Sequence, residues 1–153
     1  MTIEEYYKKV PHTQRVYKAE RETLFWMKSE KFVARDDAWS FLCAIHDTTL
    51  YRKKIRVPLP LLKFVEPSTE WEARYMMHPE YLAPIIEMGS GRTVAVLLHE
   101  LSHHIAIAHY GVEGWGHKRI FTGTYLRLVC HFYSKVAAQD LQASFDRHKV
   151  DYV

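Results

Sequence analysis

Residues 94–111 read Val94-Ala95-Val96-Leu97-Leu98-His99-Glu100-Leu101-Ser102-His103-His104-Ile105-Ala106-Ile107-Ala108-His109-Tyr110-Gly111. Apolar side chains fill VAVLL and return at Ile105 and Ile107. The stretch therefore reads as a buried helix that opens at Ser90-Gly91 and runs to about Tyr110. Within it lies an HExxH pattern, His99-Glu100-Leu101-Ser102-His103. Residues four apart on a helix stack on one face, so His99 and His103 can both reach one metal ion. Glu100 is turned about 100° from His99, which keeps its carboxylate off the ligands but beside a water that a zinc ion would acidify. The pattern thus specifies two ligands and, in Glu100, a general base. A pair of core or surface histidines beside a solvated glutamate is the plainer account, but such a pair is costly in so apolar a helix without a partner.

Zinc needs a third protein ligand if its fourth position is to stay open for water. His104 is turned about 100° off the face of His103 and belongs to the core or to a supporting layer. His109 has the spacing of the third metzincin histidine, but that spacing works where a glycine breaks the helix. Ala106 stands at that point here and favours continuation, which carries His109 to another face. Glu113 would complete a His-His-Glu set from within a tight glycine loop. In GVEGWG, Gly111, Gly114 and Gly116 let the chain reverse, so that His117 arrives at the start of the next helix facing back onto the first. His99, His103 and His117 are the expected zinc ligands, with His109 and Glu113 as alternatives for the third.

Outward from this centre the pattern alternates between element types. On the N-terminal side, Thr13 can cap a helix over 13–28, with Val16, Ala19, Thr23/Leu24 and Met27 at helical spacing. Asp36 and Asp37 can cap a second helix whose apolar face is Ala38, Phe41, Leu42 and Ile45. In KKIRVPLPLLKF, Pro58 and Pro60 forbid a helix and favour an edge strand. Two short strands follow, about 73–77 and 83–87, around the turn-like HPEY. After the glycine loop a last helical region spans about 118–147, with Phe121, Tyr125 and Leu128 on one face. Helices, a small mixed or antiparallel sheet, then helices again make an α+β fold. No linker divides residues 1–153, so one domain is expected.

Composition narrows the function classes. The chain has 153 residues, 48% hydrophobic and 25% charged, so it can bury enough apolar surface to fold. The longest aliphatic run, Val94 to Leu98, is far too short to cross a bilayer. The opening MTIEEYYKKV carries two glutamates where a signal peptide needs a basic and then an apolar stretch. A cytoplasmic protein without membrane contact is expected. A net charge of +3 does not by itself imply nucleic acid. Cys43 and Cys130 sit among large apolar residues and read as buried free thiols. Ten histidines are the unusual number, and they concentrate in the second half. Of these, His12, His46, His78, His131 and His148 show no ligand spacing. The basic run Tyr51-Arg52-Lys53-Lys54-Ile55-Arg56 could touch phosphates, although a lysine-guarded strand edge accounts for it more simply. Trp115, between the loop glycines, is a candidate wall for a substrate pocket.

HELSH, a glycine loop and GHKRIFTGTYLRLV resemble the SprT-like zincins, in which a downstream histidine of an HGxxF-type segment supplies the third ligand. The chain is also similar to the HExxH metallohydrolases of actinobacteria and their phages. The likeness lies in the leading QRVYKAE segment (Gln14 to Glu20), the leucine-rich lead into HELSH, and a closing pattern met by His117, Phe121, Tyr125, Leu126 and Leu128. It touches about 110 residues, of which HExxH and the His117 segment are the specific parts. Lys118 stands where that pattern has glycine, and Arg119 replaces a common proline.

The resemblance implies a zincin-like domain that is a zinc-dependent hydrolase, with His99, His103 and His117 as ligands and Glu100 as base, and says little about substrate. A peptide or protein substrate, cleaved at a peptide or other amide bond, is expected. Tyr125, Arg119 and Lys118 are candidates to stabilise an oxyanion. A metal-stabilised binding module without catalysis, associated with nucleic acid, is the alternative.

Overall fold

The structure, a computed structural model, describes Thr2 and residues 11–153. The polar opening stretch 1–10 otherwise lies outside the described residues. Helix α1 spans Pro11–Arg21 and buries Thr13, Val16, Tyr17, Ala19 and Glu20. Its start at Pro11 suits a residue with no N–H to leave unpaired. The single helix expected over 13–28 is broken at Thr23. The Thr23 hydroxyl donates to the Glu20 carbonyl at 2.7 Å and accepts the Trp26 N–H at 3.2 Å, closing α1 and capping α2, Leu24–Lys28. Helix α3 is Arg35–His46. Asp36 and Asp37 fall in its first turn rather than at its cap, and the Asp37 carboxylate accepts the Ala34 N–H at 3.1 Å.

The basic run departs most from expectation. Tyr51–Ile55 is a π-helical turn closed by Arg56 in the left-handed region (φ 57°), and the strand begins only after Pro60. Strands β1 (Leu61–Phe64), β2 (Ala73–Met77) and β3 (Pro84–Met88) form a sheet of order β1-β3-β2. Strand β3 runs parallel to β1 and antiparallel to β2, with Ile86 paired to both Leu62 and Tyr75. The sheet is therefore mixed, with β1 at an edge.

Helix α4, Val94–Tyr110, starts at Thr93, whose hydroxyl accepts the Val96 N–H at 3.3 Å. Every residue from Val94 to Ala106 is buried. This helix packs on β2 and β3, and against α5, Arg119–Phe132. The last helical region is two helices, because Ser134 interrupts it and accepts the Ala137 N–H at 2.9 Å to start α6, Lys135–Arg147. Leu97, Leu98 and Leu101 of α4 share one core with Ile86, Met88, Phe121, Tyr125 and Phe145. The fold is mixed α+β. Among the described residues no helix is long and apolar enough to cross a membrane. Cys43 and Cys130 are free thiols, half-buried rather than fully so.

Candidate metal centre

The apolar pattern of α4 buries the first two histidines, and glycines return the third. After α4 ends at Gly111, the 3-10 turn Gly111–Gly114 folds back on the helix. A Cβ at Gly114 would lie 2.2 Å from the Ala106 carbonyl oxygen, so only glycine allows this approach. Gly116 then takes φ +74°, and His117 follows, separated from α5 only by its N-cap residue Lys118. The Nε2 atoms of His99 and His117 stand 3.1 Å apart, and one ring nitrogen from each of His99, His103 and His117 lies within 4.8 Å of the others. All three residues are at most 2% exposed. Two nitrogens at Zn–N distances of 2.0–2.1 Å and a tetrahedral angle would be about 3.3 Å apart. A buried trio of nitrogen donors that close fits a metal ion, and these three histidines could hold one.

An aromatic floor fixes the rings. Phe121 stacks on His103 at 4.2 Å and lies 4.9 Å from both His99 and His117. Helix α1 covers the other side. The Tyr17 ring lies 6.4 Å from His99 and meets His117 edge-on at 5.0 Å. His12 lies beside the main chain of His117, and its pKa is lowered by burial first and by Arg15 second. From the same helix Glu20, 1% exposed, accepts a hydrogen bond from His99 Nδ1 at 2.7 Å. Reading the sequence missed Glu20. Its signal is a glutamate at position i+4 from Val16 and i+3 from Tyr17, on the face that α1 buries.

A cleft of about 340 Å³ reaches this centre, lined by Tyr17, Arg21, Trp26, Trp71, His99 and Glu100 among others. Arg21 reaches Glu72 across it at 3.9 Å. Glu100, 2% exposed, thus shares the cleft wall with His99.

The remaining candidates lie elsewhere. The His104 ring donates from Nε2 to the Pro58 carbonyl at 2.6 Å and accepts the Tyr75 hydroxyl at Nδ1 at 3.0 Å, latching α4 to β2 and to the proline segment. Burial lowers its pKa. His109 donates to the Ile55 carbonyl at 2.7 Å and, like Glu113, is not part of the histidine cluster. Tyr125 is wholly buried, its hydroxyl 3.3 Å from the Ala95 carbonyl. Burial foremost, then the Glu20 and Glu100 carboxylates, raise its pKa well above the ordinary tyrosine value. It does not line the cleft. Lys118 and Arg119 line a different cavity, with Tyr110 and Glu113, and Trp115 is outside the cleft lining too. Among the candidates for oxyanion contact, none faces the cleft.

Comparison with protein-family models, curated proteins and solved structures finds no match to this chain.

Proposed function

We propose that the protein is a zinc-dependent hydrolase of the zincin type, acting on a peptide or other amide bond. The observation that carries this reading is the shared position of His99 and Glu100 on one cleft wall, above a buried trio of histidines. His99, His103 and His117 would hold the ion, and three imidazoles are the ligand set that leaves a fourth position for water or substrate. Bound zinc supplies Lewis acidity, polarising a carbonyl and lowering the pKa of a water molecule. Glu100, adjacent to one ligand in the chain and turned away from the ligand face, takes the proton of the attacking water and returns it to the leaving amine. Tyr17, Trp26 and Trp71 offer apolar walls that exclude bulk solvent and strengthen these charge interactions.

The experiment is to load the protein with zinc and challenge it with a mixed-sequence peptide library, wild type beside Glu100→Gln. Wild type is expected to cleave. Glu100→Gln is expected to keep its zinc and lose at least about a hundredfold in rate, the usual scale of a general base. Undiminished cleavage by Glu100→Gln would remove this mechanism, and an inert zinc-loaded wild type would remove the peptidase reading.

A second reading has its own support. The cleft lining includes His99 but neither His103 nor His117, which are 0% and 1% exposed. A metal that only ties α4 to α5 would need no more access than that. A metal-stabilised binding module predicts zinc-dependent folding with no cleavage of any peptide.

A further inference from the structure

A histidine can present a metal with a lone pair on Nε2 only if its proton sits on Nδ1, and something must hold it there. In this protein that something comes from α1, 79 residues away in sequence. Glu20 Oε2 lies 2.7 Å from His99 Nδ1, with both side chains at most 3% exposed. A carboxylate accepts and does not donate, so with Glu20 in that form the shared proton belongs on Nδ1, which leaves the Nε2 lone pair toward His117 Nε2, 3.1 Å away. Burial fixes the contact at both ends. Apart from the His99 ring, Glu20 has no basic partner at its carboxylate among the salt bridges of the described residues. Its backbone carbonyl is separately engaged by Thr23, whose hydroxyl and N–H both donate to it, at 2.7 and 3.0 Å. That contact pins the last turn of α1 and sets where the side chain emerges.

We propose that Glu20 is the positioning residue of the metal centre, holding His99 in the metal-ready tautomer and ring orientation. The inference rests on the zinc reading of the three histidines, and it adds a partner that HExxH and the third histidine do not specify. A bare buried carboxylate is expensive, and a neutral imidazole N–H offsets that cost only in part. A cation held by the far side of the ring would complete the compensation, because it would make the Nδ1–H a stronger donor. Carboxylate and metal therefore strengthen one another through the ring. Helix α1 is accordingly part of the site. It supplies Glu20 to His99, the Tyr17 ring to both His99 and His117, and the His12 contact to the His117 main chain.

The test uses the whole chain with two readouts, neither of which is activity. The first is zinc affinity by competition with a chromophoric chelator, for wild type, Glu20→Ala and Glu20→Gln. Removing a partner of this kind costs about 10- to 100-fold in metal affinity, and Glu20→Ala should lose that much. Glu20→Gln keeps the shape and an acceptor oxygen without the charge, and should fall between the two. The second is the nitrogen NMR signature of His99 in the metal-free protein, which should report a proton on Nδ1 in wild type and a mixture of tautomers in Glu20→Ala. If Glu20→Ala does not fold, Glu20→Gln decides. Wild-type zinc affinity in every variant that folds would overturn the inference and leave the zinc reading standing. A wild type that takes up no zinc would overturn both.

Discussion

His109 and His117 both follow the HExxH pair, yet their fates are opposite because of what each backbone does. His109 stays on α4 and spends Nε2 on the Ile55 carbonyl at 2.7 Å, while His117 is returned by the glycine loop to 3.1 Å from His99. His117→Ala should lose more than about a hundredfold in zinc affinity, beyond what a supporting partner costs, whereas His109→Ala should retain the metal. Elemental analysis of both variants after dialysis decides it, and equal retention would dismiss His117 as a ligand. Tyr51 makes a different argument about a single residue. Its ring is 1% exposed, and its hydroxyl has no hydrogen-bond partner among the described residues. An unsatisfied buried hydroxyl is a cost, so Tyr51→Phe should gain on the order of 1 kcal/mol. The same burial pushes the hydroxyl pKa up to about 12. A folded pKa above the unfolded value means the stability linked to the proton is whole below about pH 10 and is lost as pH rises through about 12. Alkaline unfolding curves should therefore be flatter for Tyr51→Phe above pH 10, and identical curves would show that the hydroxyl is not buried in solution.

Helix α4 and the 3-10 turn after it form the unit on which the centre depends. Gly114→Ala would place a methyl 2.2 Å from the Ala106 carbonyl oxygen. The turn must then lift from the helix, costing about 1–3 kcal/mol as overpacking does. His117 moves with the turn, so this variant should bind zinc more weakly than wild type while staying folded. Thermal melts with and without zinc would show it, and an unaltered zinc response would separate the turn from the site. Elements of this kind also mark what was legible in the sequence. The long helix could be read because thirteen consecutive residues, Val94 to Ala106, are buried, a run too long for an ordinary buried strand. Both the return of His117 to the histidine pair and the departure of His109 to another, exposed face of α4 followed from where glycine and alanine stand. What escaped was local hydrogen bonding and distant packing. Thr23 and Ser134 each offered a cap inside a run that periodicity alone joins into one helix. Tyr51–Ile55 formed a π turn where lysines and prolines suggested a strand. Glu20 could not be connected to His99, because nothing within α1 indicates which helix its buried face meets.

At the scale of the whole molecule, the three histidines and Glu20 join segments that are remote in sequence. They link α1, the middle of α4 and the entrance to α5, and α1 and α5 also both pack against α6. An ion held at this junction binds the folded chain and not the unfolded one, so its binding free energy adds to stability. With zinc at a thousandfold excess over its dissociation constant the gain is about 4 kcal/mol, which for a chain of this length raises Tm by about 10 °C. Stripping the metal with a chelator should lower Tm by that amount, and restoring zinc should recover it. Glu100→Gln removes no ligand and should keep the full shift, while His103→Ala should abolish it. The two proposed uses of the metal part company at this point. A hydrolase loses turnover in Glu100→Gln with its zinc-dependent Tm intact, because the general base and the ligands do separate work. A binding module has the same thermal response with no turnover to lose. A Tm indifferent to both chelator and added zinc would mean that the histidine trio holds no metal in solution, and both readings would fall together.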